Sequence, residues 1–301
     1  MIYDIIIVGG GPAGLTAAVY GRRANKSVLV IDKGAFGGQI TFSPMVENIP
    51  GFTSLSGNEF AEKLVDQAIT QGAEFECGEV KAVKNGEIKT VVTEDGEFEA
   101  RSVILATGAK HRTLGLPEEE RFIGDGISFC AVCDGAFYKG QTVGVIGGGN
   151  SALQEALLLA ELCKEVVVVQ NLDFLTGEEK LQKQLREKSN VRVILGTVVD
   201  SILPTDRFSG IRIRKEADGT VSELPLDGLF VAIGLLPQNE PFSDVLSLDE
   251  RGYAAADESC TTPTDGIFVA GDCRAKRVRQ VTTAASDGAV AALAACSYLD
   301  R

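Results

Sequence analysis

Two stretches of this chain carry the same succession of patterns: a short unbroken apolar run, a glycine-rich turn, apolar positions at helical spacing, then a second apolar run. In the first, Tyr3 to Val8 reads as a buried strand, Gly9-Gly10-Gly11-Pro12-Ala13-Gly14 turns into a helix through about Ala24, and Ser27 to Asp32 is the next strand. In the second, Thr142 to Ile146 is the strand, Gly147-Gly148-Gly149-Asn150-Ser151-Ala152 leads into a helix through about Leu162, and Glu165 to Val169 follows. Each is a βαβ unit. Two more apolar runs, Ser102 to Ala106 and Gly266 to Ala270, end in Ala106-Thr107-Gly108 and Gly271-Asp272. After Arg279 and Gln280, the segment from Val281 predicts a long apolar-faced helix to about Leu299. The expected fold class is α/β.

Composition narrows the picture. With 301 residues, 45% of them hydrophobic, and 34 glycines, the chain can bury a large core. It should form two domains, because single cores rarely grow past ~250 residues. A net charge of −13 argues against nucleic acid as a partner, since phosphate binding needs basic surface. No apolar run approaches the ~18 to 20 residues that span a bilayer, so no membrane integration is expected. The seven cysteines are an odd number for a secreted disulfide framework, and the N-terminus enters a strand directly without a basic leader; the expected compartment is the cytoplasm.

The glycine turns point to dinucleotides. Gly9 permits a tight turn, Gly11 lets a pyrophosphate approach the backbone, and Gly14 lets helix and strand pack closely, with phosphates at the helix N-terminus. Asp32 ends the second strand, where an acid can accept hydrogen bonds from a ribose. The second turn has Ala152 in place of the last glycine, an accepted variant. Thr107 and Asp272 lie at strand C-termini, where ligands gather in such sheets, although Asp272 taken alone also reads as a helix cap.

Between the two turns lies Cys130-Ala131-Val132-Cys133-Asp134-Gly135. Two thiols separated by two residues suit either redox chemistry or a metal. Structural zinc wants four Cys or His ligands. The chain has one histidine, His111, and its other cysteines, Cys77, Cys163, Cys260, Cys273 and Cys296, form no second pair, so no metal is expected. Cys273, beside Asp272, has no partner and reads as packing.

In order and spacing, these motifs with Gly37-Gly38-Gln39 and Glu47-Asn48-Ile49-Pro50-Gly51 make the chain resemble the low-molecular-weight thioredoxin reductases along essentially its whole length. The resemblance implies two Rossmann-like three-layer nucleotide-binding domains, the second inserted in the first. Residues 1–113 and 240–301 would bind FAD, and 114–239 would form the pyridine-nucleotide-type domain carrying the redox disulfide. FAD contacts would come from Gly9, Gly11, Pro12, Ala13, Gly14, Asp32, Lys33, Gly38, Gln39, Asn48, Val80, Thr107, Gly108, Gly271, Asp272, Arg279, Gln280 and Val281. Among these, Asp272 would take a ribityl hydroxyl, and the dipole of the last helix would favour a reduced flavin. Cys133 would be the sulfur nearest the flavin, Cys130 the one that attacks the disulfide of thioredoxin, and Asp134 the proton donor and acceptor, unless it merely caps the turn. The resemblance also implies a homodimer and a rotating small domain. The hinges would lie near His111 to Pro117 and Gly234 to Pro241, which makes His111 a linker and not a base.

One motif departs. Relatives that use NADPH carry HRRxxxR after the second-fingerprint strand, and here Gln170, Asn171, Leu172 and Thr176 occupy its four fixed positions. Losing two phosphate-binding arginines costs ~3 to 6 kcal/mol, or ~10²- to 10⁴-fold in affinity, so ordinary NADPH use is not expected. Lys180 and Lys183 are candidates for compensation, and NADH for binding through the amides of Gln170 or Asn171. Ferredoxin is another donor the resemblance offers. The basic run Arg274-Ala275-Lys276-Arg277-Val278-Arg279 is either a dock for an acidic carrier or a solvated turn in which only Arg279 meets flavin. Two rival functions stay open: a dithiol oxidase passing electrons to oxygen, and a non-catalytic redox sensor.

Overall fold

The computed structural model describes residues 1–43, 45–203 and 206–301. They divide into two compact units, Met1–Lys110 with Leu236–Arg301, and His111–Leu235.

The first unit is built on a seven-stranded sheet in the order Glu74–Cys77, Val28–Asp32, Ile2–Val8, Glu97–Leu105, Lys89–Thr93 and Val80–Lys84, with Ile267–Val269 also paired to Glu97–Leu105. That long strand serves two neighbours in turn. Its first half, with alternating exposure, pairs antiparallel with Lys89–Thr93, and its fully buried end, Ser102 to Leu105, lies between the parallel strands Ile2–Val8 and Ile267–Val269. The strand therefore begins five residues before the apolar run suggested, because antiparallel pairing tolerates a polar face. Helices Pro12–Arg23 and Val281–Leu299 cover one face of the sheet, burying Ile5, Ile7, Leu15, Ala291 and Ala295. Phe242, Val245 and Leu246 help cover the other with Ile6, Val8 and Ile31. Burial on both faces explains why the parallel strands are continuous apolar runs and not alternating ones.

The second unit holds a five-stranded parallel sheet ordered Val191–Ile194, Glu165–Val169, Thr142–Ile146, Gly228–Val231 and Ile127–Ser128. Helix Asn150–Leu162 and the helical turn Ala131–Asp134 pack on one face. A three-stranded antiparallel sheet, Thr197–Ile202, Gly210–Lys215 and Val221–Pro225, packs its Ile202, Ile211, Ile213 and Leu224 on the other. In both units the parallel strands run so that the glycine turns, Thr107 and Asp272 fall beyond carboxyl ends, where an α/β sheet leaves an open crevice.

Candidate functional site

Cys130 and Cys133 are joined as a disulfide, with Cα atoms 5.3 Å apart, at the start of the turn Ala131–Asp134. The geometry is local: Cys130 is the N-cap, and the Cys133 backbone N–H donates to the Cys130 sulfur at 3.2 Å. Asp134 follows on the same turn. The Ser128 hydroxyl donates to its Oδ2 at 2.5 Å, while Oδ1 is buried with no partner. The Asp134 side chain caps nothing, so the turn-cap reading does not hold. Burial pushes its carboxyl above the ordinary range, partly offset by the Ser128 hydroxyl. His111 stacks on Phe129 at 4.8 Å, and burial lowers its pKa to about 4, so the ring is neutral near pH 7.

The first glycine turn forms a cradle in the other unit. A Cβ on Gly9 would lie 2.2 Å from the Ala106 carbonyl oxygen, and one on Gly14 would lie 1.8 Å from the Gly9 oxygen, so neither position accepts a side chain. At Gly11 the nearest atom would be Gly38 Cα at 3.9 Å, which leaves the peptide open to a ligand. Pro12 starts the helix and Ala13 is buried beneath the turn. Asp32 accepts N–H bonds from Gly10 at 2.6 Å and Gly34 at 2.8 Å, so its carboxylate also shapes the turn. Gly9, Asp32, Lys33, Val80 and Thr107 line a cavity of about 260 Å³, and Lys33 is ion-paired to Glu79 at its rim.

Other expected ligands of this unit are held by contacts of their own. The Gln39 amide donates to the Ala109 carbonyl at 2.5 Å, Asn48 donates to Gln280 at 3.2 Å, and Thr107 donates to Asn239 at 3.1 Å. Gly38, Gly108 and Gly271 have φ of 69°, 71° and 82°, a region that favours glycine. Gln280 caps the last helix through a box with Thr283 and is followed directly by Val281; Asp272 is not the cap. Asp272 instead leaves Oδ1 buried without a partner, and burial raises its carboxyl above the ordinary range. An orphaned buried acceptor at a strand end and an open glycine peptide in the same unit suit a flavin dinucleotide.

The basic run after Asp272 is not a solvated turn, because two of its four cations are buried. Arg274 is 2% exposed and, with Lys276, is ion-paired to the buried Asp287. Arg279 lies over the Tyr253 ring at 4.2 Å and donates to the Asp272 carbonyl. Of the four cations only Arg277 is exposed. Cys273 is fully buried, its thiol donating to the Ala270 carbonyl at 3.2 Å, as a packing residue should.

At the second glycine turn Gln170 is buried against the backbone. A Cβ on Gly148 would meet its amide at 2.6 Å, and its Nε2 donates to the Phe174 carbonyl. Gln170 is thus spent inside the turn, whereas Asn171, Leu172 and Thr176 are exposed. Lys180 and Lys183 are exposed on the helix Glu179–Arg186.

Two acidic residues escaped the sequence reading. Glu155, on the helix Asn150–Leu162, has a buried Oε2 with no partner, and burial raises its pKa to about 8. Asp287 sits on the apolar helix Val281–Leu299 at 4% exposure. Asp287 stands on the buried stripe of its helix and Glu155 is half-buried beside that of its own, and a carboxylate amid alanines and leucines was the available signal.

A closed two-residue-spaced disulfide beside an orphaned carboxyl in one nucleotide-type unit, and a dinucleotide cradle in the other, are the parts of a flavoprotein disulfide oxidoreductase. The chain belongs to the pyridine nucleotide-disulphide oxidoreductase family, whose profile matches residues 3–288. It is similar to a thioredoxin reductase of Listeria monocytogenes, 40% identical over 302 aligned positions that cover 100% of this chain and 95% of that protein. A thioredoxin reductase of Treponema pallidum is 41% identical, with 99% and 97% covered. The crystal structure of a thioredoxin reductase from Streptococcus pyogenes matches with a TM-score of 0.94 at 40% identity, covering 99% of this chain and 98% of that one.

Proposed function

We propose that the protein reduces thioredoxin or a similar small dithiol protein through Cys130 and Cys133, and that its electron donor is not NADPH. The observation that carries the catalytic reading is the closed disulfide with Asp134 beside it, one oxygen held by Ser128 and the other unpartnered. FAD, when bound, supplies the electron pair that opens this bond. Opening it yields two sulfurs that need protons, and a buried carboxyl whose pKa is raised is suited to give one and take it back. The Cys133 N–H already points at the Cys130 sulfur and would steady a thiolate there. That thiolate attacks the partner's disulfide, and Cys133 then displaces the reduced partner and re-forms the internal bond. Electrons and protons balance: two of each pass to the substrate disulfide.

For the donor, the support lies around the second turn: no cation stands between Gln170 and Glu179, and Gln170 is packed against Gly148 and donates to the Phe174 carbonyl. A ferredoxin or another carrier fits this better than a phosphorylated nicotinamide dinucleotide. With the run after Asp272 largely buried, such a carrier would have to dock elsewhere. The working form is read as a homodimer from resemblance to the family, and the cytoplasm as its place from the single disulfide among seven cysteines. No described helix is long and apolar enough to cross a membrane.

The test is anaerobic. NADPH, NADH or reduced ferredoxin is added separately to the flavin-loaded protein, the visible flavin band is followed, and thioredoxin disulfide is then supplied. Reduced ferredoxin should bleach the band and pass electrons on, and Cys133→Ser should stop that transfer. Rapid bleaching by micromolar NADPH would overturn the donor reading, and turnover retained by Cys133→Ser the catalytic one.

A further inference from the structure

We propose that Asp287 is a positioning residue for the flavin site: it ties the backbone before Asp272 and two side chains after it to the helix Val281–Leu299 and so holds the Asp272 carboxylate where a ribityl hydroxyl arrives. The inference rests on the reading of Asp272 as a flavin-holding group.

Asp272 has little to fix its own side chain, since its Oδ1 is buried without a partner. Its position must come from the residues around it. The residue before it, Gly271, donates its N–H to Asp287 Oδ2 at 3.0 Å. After it, Arg274 donates to the same carboxylate through Nε at 2.8 Å and Nη2 at 2.9 Å, and Lys276 adds an ammonium at 2.9 Å. One carboxylate thus gathers four donors, from residues just before Asp272 and two to four after it. Charge-assisted bonds are about twice as strong as neutral ones, and a two-pronged guanidinium contact fixes direction as well as distance.

The anchor itself cannot drift. Gly288, next to Asp287, lets the helix lie against the first-fingerprint helix, and a Cβ there would come 2.1 Å from the Ala13 carbonyl oxygen. A Cβ on Gly271 would approach that of Ala13 to 2.9 Å. The clamp therefore references Asp272 to the glycine turn that would hold the phosphates of the same dinucleotide, which sets the span from phosphate to polyol. Arg279 completes the loop by donating to the Asp272 carbonyl at 3.3 Å.

The test is a double-mutant cycle on FAD binding, measured by titrating the full-length apoprotein and following the quenching of FAD fluorescence. Asp287→Asn should raise the FAD Kd by roughly 10- to 100-fold, the loss of one or two charged hydrogen bonds. In an Asp272→Asn background the same change should cost less than about threefold, because a residue acting through Asp272 has nothing left to position. Equal cost in both backgrounds would overturn the clamp and reduce Asp287 to a fold-stabilising group. An unchanged Kd in Asp272→Asn alone would instead sink the underlying assignment of Asp272. If Asp287→Asn fails to fold, Lys276→Gln removes one of the four contacts, and the same cycle decides with an expected loss of about threefold to tenfold.

Discussion

At the first glycine turn Asp32 draws the N–H groups of Gly10 and Gly34 onto a carboxylate; at the second, Gln170 lays a neutral amide against Gly148 and donates to Phe174. Both turns are held from the loop beyond the next strand, by Gly37 N–H on the Gly10 carbonyl and by Thr176 and Gly177 N–H on the Gly148 carbonyl. The backbone plan is shared, and the side chains that would meet a nucleotide are not. The first turn keeps an open peptide at Gly11 beside a cavity that Asp32 lines. In the second, the corresponding residue is consumed by its own loop. A fingerprint therefore records a fold that can bind dinucleotides, and the residues after its second strand decide which one, if any, is bound.

The sharpest way to break this contrast is to restore what the second turn lacks. Asn171→Arg with Leu172→Arg, both exposed positions, should tighten NADPH binding by ~10²- to 10⁴-fold, read by calorimetry or by flavin bleaching. No gain would mean that the Gln170 loop closes the site regardless of charge.

The turns should also differ in their tolerance of a methyl group. Gly14→Ala would place a Cβ 1.8 Å from the Gly9 oxygen and should lose several kcal/mol of stability together with bound FAD. Ala152→Gly should cost only about 1 kcal/mol, the helix propensity difference. Thermal melts of the two variants with and without FAD measure both.

A third test uses acidity. Glu155, in the second unit, has a folded pKa of about 8 against an ordinary 4.5. The native state then holds a proton that the unfolded chain releases, so stability is complete below pH 4.5 and falls as pH rises toward 8. The loss across that range should be on the order of 5 kcal/mol. Urea melts across that range should show the slope in the parent and its flattening in Glu155→Gln; a parallel slope in both would assign it elsewhere.

A last test removes the charge at Asp32. Asp32→Asn keeps the shape but weakens two charge-assisted contacts, and should cost about 1.5 to 3 kcal/mol, visible as weaker FAD retention. Gln170→Glu, its counterpart, should not create a dinucleotide site, because the new charge would be buried against Gly148.

Much of this was legible along the chain. The βαβ units, the long last helix and the spacing of Cys130 and Cys133 follow from apolar period, glycine chemistry and covalent reach, which are local properties. The three-stranded sheet of Thr197–Ile202, Gly210–Lys215 and Val221–Pro225 was not anticipated, because its strands mix polar and apolar positions and are specified by packing against the parallel sheet. The run Arg274 to Arg279 misled for a related reason: charge density in sequence suggests exposed surface, and only the approach of Asp287 on a distant helix shows two of its cations to be buried.

By itself, then, the sequence determined where the chain turns, which runs are buried, which two sulfurs can meet, and which cations are missing after Val169. Tertiary structure alone decided that Asp134, Glu155 and Asp272 each keep a buried oxygen without a partner. It also decided that Asp32 and Gln170 serve their turns in opposite ways. Desolvation and pairing depend on atoms brought in from remote parts of the chain, and no local pattern of residues encodes what will surround a carboxylate once the sheet has closed over it.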